Sequence, residues 1–384
     1  MLTDQKNSWN LIKCESDLDF VSAVDFLNDE YKKTNEEQWS KESLKWKISG
    51  NTHVGKGIIF CAKLNNKTIG IISLTLKYIN LCGKKVVVGE LGDGYTSKKI
   101  YTNKPIKHYE CDTFSEGINN NNDYIKKSIA GRLCAEVISW SENNGIYGIY
   151  GTPNDLAMRS WINRLNFRLI NSANKKVIIT ATLFKIRFKL NKNILKVLGL
   201  LLNKLNSFFL APYKFILKKY ELNYLESNNL DIGVEYDELW SKYSKNERIE
   251  IIRDKKWLIW RYIAKPENNY KIITLKQSNV LVGWCVLNIS YELDYKKITI
   301  CDWVYLVNDH IWSAFICTIL EKYEYQNSLV TYWEIEKSKI SKKLFPMSYN
   351  YDDVNIIYKH TSVDMLYIDK RNFHTFMIGH SDNI

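Results

Sequence analysis

The spacing of apolar positions along the chain changes period several times. Phe20, Val24 and Leu27 recur at helical spacing and predict a first helix over 17–33, with Asp17 available to cap it. A short second helix is expected over 40–48. The period then drops to two. Strands are predicted over 57–64, 68–77 and 85–91, with tight turns at Asn65-Asn66-Lys67 and Asn80-Leu81-Cys82-Gly83. Residues 97–123 are polar and end in an Asn run at 119–122, a long irregular insertion of the kind that is either functional or disordered. Helical signals resume at Asp123. Ile129, Leu133, Val137 and Trp140 share one face, and Asn144-Gly145 stops the helix. A strand over 146–150, a helix over 155–165 and strands over 167–170 and 177–188 follow.

Residues 191–220 carry a different pattern. Ile194, Val197, Leu198, Leu201, Leu205, Phe208 and Phe209 make one apolar face, and Lys192, Lys196, Lys204 and Lys214 interrupt it too often for a transmembrane span. Two readings fit: a helix that packs on two domains and links them, which is favoured, or a basic amphipathic helix lying on a membrane surface. A second globular pattern begins at Val234. It has helices over 236–243 and 248–262, and strands over 270–275, 280–290 and 298–306. A helix over 310–323 and a strand over 329–335 complete it.

The 384 residues suit two domains of ordinary size, and 45% hydrophobic residues are enough for real cores. Net charge is +12. A Lys- and Asn-rich composition explains part of that. The basic residues read as scattered, and Lys outnumbers Arg, so a specific nucleic-acid reader is not expected. An anionic cofactor or a nucleotide-linked substrate would also suit a positive surface. The eight cysteines form no C-x-x-C pair, and several lie inside apolar runs, as reduced buried thiols of a cytoplasmic protein do. The N-terminal residues have no signal-peptide character. Six scattered histidines offer no metal-ligand spacing, so no metal is expected.

Candidate chemistry gathers in three stretches. The first is Ile125-Lys126-Lys127-Ser128-Ile129-Ala130-Gly131-Arg132, small residues and cations opening a helix. Backbone N–H groups there can meet phosphate oxygens, and small side chains permit close approach. The second is Gly151-Thr152-Pro153-Asn154, a turn opening the next helix, with Asn154 as cap and Asn166 suited to a left-handed end. The third is Val88-Gly89-Glu90-Leu91-Gly92-Asp93-Gly94-Tyr95, a strand whose glycines suit a bulge and which carries two carboxylates. Simple alternation puts Glu90 and Asp93 on opposite faces, and a bulge would disturb that parity.

Together these stretches resemble the GNAT superfamily of acyl-coenzyme A transferases. The frame at 125–130 is similar to the family's Q/R-x-x-G-x-G/A turn, with Ile125 and Ser128 as departures. The run from Pro153-Asn154 to Leu165-Asn166-Phe167 is similar to the P-N…L-G-F ending of members found in surface-polysaccharide clusters. Trp161 stands where many members place a Tyr acid, and core packing is the preferred reading for it. Asp254 to Arg261 with Pro266 and Tyr270 is similar to a helix of tandem members.

The resemblance implies an α+β fold of two GNAT-like units, each a mixed, mostly antiparallel sheet flanked by helices. The expected boundaries are 1–190 for an acyl-coenzyme A-binding domain, 191–231 for an amphipathic helical linker and 232–384 for a degenerate second unit. It implies acetyl-coenzyme A as co-substrate, bound by Lys126, Lys127, Ser128, Ile129, Ala130, Gly131, Arg132 and Asn154. Asp93 or Glu90 would act as base, with a lean to Asp93, unless one of them instead pairs with the 126–132 turn. Tyr95, Tyr150 and Arg261 would meet a small-molecule amine, expected to be an amino sugar that is nucleotide- or lipid-linked, with Arg261 on an acidic group of it unless that residue serves a structural ion pair instead. Peripheral contact with the inner membrane face fits this role. Two rivals stand beside it, a Fem-like transferase using aminoacyl-tRNA and a scaffold whose cofactor slot has decayed. No nucleophilic triad is expected, because the cysteines have no telling histidine near them.

Overall fold

Two-residue turns organise the first half of the molecule. Asn65 and Asn66 both take positive φ between β2 (Ile58–Leu64) and β3 (Lys67–Leu81). Cys82 and Gly83 do the same between β3 and β4 (Lys84–Thr96). These are the primed turns whose twist matches a hairpin. The computed structural model describes residues 9–32, 38–97, 128–180, 217–226, 232–244, 248–266, 269–292, 295–335 and 348–361, with isolated positions between 182 and 215. The expected insertion at 97–123, Lys126 and Lys127 lie outside the described residues, Ser97 excepted.

The chain forms two compact units. The first draws on Met1–Tyr78, Val86–Ile170 and Ile356–Tyr367, the second on Ile79–Lys85, Asn171–Asn355 and Ile368–Ile384. In the first, β1 (Asn10–Lys13), β2, β3, β4, β5 (Gly148–Gly151) and the end of β13 (Ser348–His360) lie in that order. β4 and β5 run parallel, and β5 and β13 antiparallel. Helices α1 (Asp17–Tyr31) and α2 (Lys41–Ser49) cover one face, through Phe20, Leu27, Leu44 and Ile48 on Ile59, Cys61 and Ile71. Helices α3 (Ile129–Asn143) and α4 (Asp155–Leu165) cover the other, through Leu133, Val137 and Leu165 on Ile72, Leu74, Leu91 and Ile149. The cap of α1 is Ser16 rather than Asp17. Ser16 and Asp19 exchange bonds as a capping box, and Asp17 pairs with Lys41 and Lys45 instead.

In the second unit the order is β13, β6 (Arg168–Ile178), β12 (Ser328–Ile335), β11 (Lys296–Tyr305), β10 (Val280–Tyr291), β9 (Tyr270–Gln277) and β7 (Glu221–Glu226). Helix α5 (Glu235–Tyr243) precedes β8 (Ile249–Ile251), which pairs with Ile79–Leu81 of β3. Helix α6 (Lys255–Leu258) runs into a π-turn at Ile259–Ile263. Helix α7 (Asp309–Lys322) packs Ile311, Phe315 and Ile319 onto Ile273, Leu287 and Ile300. Asn308 caps it as an ordinary helix start.

Three expectations are corrected here. The helix predicted over 248–262 is split, because Ile249 and Ile251 enter a strand and Asp254 caps a new start through Trp257 N. The two strands predicted over 167–170 and 177–188 are one strand ending at Ile178, where pairing with β12 stops. Strands β1 and β13 were not anticipated.

Candidate functional site

Strand β4 of the first unit ends in a bulge. Asp93 takes φ +51° within β4, a left-handed conformation rarely adopted inside a strand. Alternation puts Val87 and Leu91 on the α3–α4 face, and both pack there. The bulge then resets the parity. Asp93 turns to the α1–α2 face, where it accepts from Ser73 Oγ at 2.6 Å and pairs with Lys47 Nζ of α2 at 2.6 Å. Tyr95 follows it onto the same face and packs beside the α1–α2 core. Glu90 is on that face as well. It pairs with Lys77 and accepts from Tyr150 Oη at 3.1 Å. Ser73 and Lys77 are four apart on β3 and so share a face, which puts their two carboxylate partners on that face. The face therefore gathers Glu90, Asp93, Tyr95 and Tyr150, four of the residues singled out from the sequence.

Both carboxylates are almost wholly buried, with side chains 2% and 4% exposed, and so are their lysines. Buried charges must be paired, and each of these is. Among the described residues the partners are Lys77 and Lys47. Neither lysine was anticipated, because the pairs depend on which residues of β3 and α2 lie opposite β4. Lys77 also lies 5.8 Å from the centre of the Tyr150 ring.

The parallel pairing of β4 and β5 ends at Leu91 and Gly151. β4 continues to Thr96 while the chain leaves β5 for α4. The two strands part at the bulge, which opens a notch in the backbone ladder. Helix α3 starts nearby. A Cβ on Gly70 would meet Ile129, Leu133 and Thr96, so this glycine brings β3, the end of β4 and the first turn of α3 together. Ser128 is the cap and accepts from Gly131 N at 2.9 Å. Ile129 and Gly131 are buried, and Ala130 is half-buried on the outer side of the turn. Arg132 is exposed and stacks on Trp9, 4.6 Å from the ring centre. A helix start with a small, half-buried residue and a neighbouring guanidinium fits the phosphates of an acyl-coenzyme A. Asn154 caps α4 through Ala157 N, and Asn166 closes it at φ +58°. Trp161 packs on Phe167 at 5.2 Å, in the core role preferred for it.

Arg261 belongs to the second unit and is 2% exposed beside Trp260. The corresponding notch in this unit is filled. β11 carries an extra residue, Cys301, between the partners of Leu287 and Val286, and its parallel pairing with β12 ends at Ile300 and Tyr332. Asp302 there is wholly buried. It accepts from Trp257 Nε1 at 3.2 Å and Tyr262 Oη at 3.1 Å, and pairs with Arg253 at 3.4 Å. Arg253 also donates to Trp303 O at 2.8 Å and pairs with Glu250 at 3.1 Å. Burial pushes the Tyr262 hydroxyl well above its ordinary range. Arg253, Trp257 and Tyr262 thus pack around the carboxylate at this bulge.

Among the described residues no group of His, Cys, Asp and Glu is placed to hold a metal. Burial pushes the thiols of Cys134 and Cys301 up to about 12, so both stay protonated at neutral pH.

No protein-family model matches this chain, and no curated protein matches it in sequence. Solved structures do match its fold. It is similar to a GCN5-related N-acetyltransferase from Anabaena variabilis ATCC 29413, with a TM-score of 0.57 at 11% identity, over 93% of this chain and 74% of that one. It is similar to the N-myristoyltransferase of Saccharomyces cerevisiae with bound myristoyl-CoA, with a TM-score of 0.56 at 10% identity, over 94% and 84%. A probable N-acyltransferase from Enterococcus faecalis V583 matches with a TM-score of 0.56 at 8% identity, over 92% and 72%. At these identities the likeness establishes an N-acyltransferase fold and nothing finer.

Proposed function

We propose that the first unit transfers an acyl group from coenzyme A to an amine. One observation carries this reading: β4 and β5 part at a bulge beside the capped first turn of α3. The helix start would take the pyrophosphate, with Arg132 as counter-charge. The notch would admit the pantetheine arm and present the thioester carbonyl to the backbone of β4 beyond Leu91. The acceptor would come from the α1–α2 face, where Tyr95 and Tyr150 suit a sugar ring and Asp93 suits a cationic amine. An amino sugar, nucleotide- or lipid-linked and destined for a surface polysaccharide, fits that lining. As the new C–N bond forms, the C–S bond breaks. A cationic amine first loses one proton to solvent; the neutral amine then gives up one proton to Asp93, which returns it to the departing sulfur, so coenzyme A leaves as the thiol and Asp93 is regenerated.

The experiment is a calorimetric titration with acetyl-coenzyme A and, because the yeast neighbour holds it, myristoyl-coenzyme A. The wild-type chain is compared with Ala130→Glu. A Glu at that position leaves the Ser128 cap intact and suits the helix start, so lost binding is not lost folding. Micromolar binding weakened at least about tenfold by the variant supports the proposal. A wild-type chain that binds neither thioester sinks it. The pairing of both carboxylates with buried lysines favours a second reading, a scaffold that keeps the fold without turnover. Binding without thiol release across a panel of amino sugars would point there.

A further inference from the structure

The charge of this chain is less evenly spread than its composition suggests. Between residues 182 and 220 the sequence holds nine Lys and Arg and no Asp or Glu. In the same stretch the described positions between 194 and 205 are helical. Ile194, Val197, Leu200, Leu201 and Leu205 are between 48% and 59% exposed, while Leu202 is buried. At 100° per residue the five aliphatics fall within one sector of the helix, and Leu202 falls outside it. Lys204 is exposed within that sector. Farther along, Leu217 is anchored in the core of the second unit.

The favoured expectation for this segment is a helix that packs on two domains and links them. At the five described aliphatics the apolar side is turned outward. Large aliphatics at i, i+3 and i+7 are costly in water unless something covers them.

We infer that this helix docks the protein on an anionic lipid surface, lying in the plane of the headgroups. The charge decides between occupants. A second copy would set two cation-only segments against each other across a two-fold axis. Nucleic acid would meet aliphatics where phosphates or stacked bases need cations and rings. An anionic bilayer satisfies both halves of the pattern: the aliphatics enter the acyl boundary, and the lysines meet lipid phosphates. Among the described residues no helix is long and apolar enough to cross a membrane. The inference does not depend on the reaction proposed above.

The test is flotation of the full chain with vesicles of phosphatidylcholine, alone or with about 30% phosphatidylglycerol. Val197→Glu/Leu201→Glu is the variant, and Val234→Glu/Val280→Glu, at exposed positions elsewhere, matches its charge change. The wild type is expected to float with the anionic vesicles only. The helix variant should lose at least about tenfold in partitioning and the control less than about twofold. Thermal melting and sedimentation velocity accompany each protein. The inference is overturned by a wild type that fails to float, by equal loss in both variants, or by no loss in either. It is also overturned by a concentration-dependent dimer that only the helix variant abolishes, which would make a second copy the occupant.

Discussion

Glu90 and Lys77 form a buried pair with almost no exposure, so each offsets the other's buried charge. Replacing Glu90 by Gln would strand the Lys77 ammonium and is expected to cost about 3–5 kcal/mol in urea unfolding. Adding Lys77→Met should recover most of that loss. Thiol release by the double variant then separates support from chemistry: turnover near wild type would rule Glu90 out as the base. Asp19 offers a pH test. The Ser16 hydroxyl above all, with Lys63 behind it, holds its carboxyl down to about 2 against an ordinary 3.8. Because the folded value lies lower, the stabilisation is complete above about pH 4 and fades as pH falls toward 2. The side chain is 20% exposed, so screening leaves about 1 kcal/mol. Asp19→Asn should lower stability by that amount at pH 7 and by almost nothing at pH 2. Equal losses at both pH values would show that the ionised form is not what Ser16 and Lys63 hold.

At the scale of elements, the turns and caps were legible because their causes are local. Asn65-Asn66, Asn154 and Asn166 all do in the structure what their side chains and φ preferences suggest. Asn166 closes α4 in a left-handed conformation, so Asn166→Ala should cost about 1 kcal/mol and Asn166→Gly almost nothing. A melting series that ranks the two variants the other way would contradict this. The face of Asp93 was not legible. Strand alternation assumes one residue per step, and a bulge breaks that count at a point only the register reveals. β8 was hidden for a different reason. Three residues are too few to show a period of two, and the apolar run after them reads as helix. β13 has Tyr-Asp-Asp at its centre, and Asp is poor in strands, so only tertiary pairing explains it.

At the scale of the whole molecule, two units repeat one scheme. Each has a meander of three antiparallel strands, a bulge on the third, a helix, and a strand parallel to the third. In the first the bulge lies beside a capped helix start. In the second Arg253, Trp257 and Tyr262 fill the equivalent space around Asp302. Duplication of the element order was readable from the spacing of apolar positions. The filling was not, since it depends on three side chains from a strand end, a helix and a π-turn meeting one carboxylate. One further feature bears on how the protein is made. β13 supplies Ile357–His360 to β5 of the first unit, more than 200 residues after that strand. A ribosome releasing the chain from its N-terminus therefore exposes the edge of β5 throughout synthesis of the second unit. The first unit closes its sheet only after residue 360 has emerged, so being translated first does not let it finish folding first.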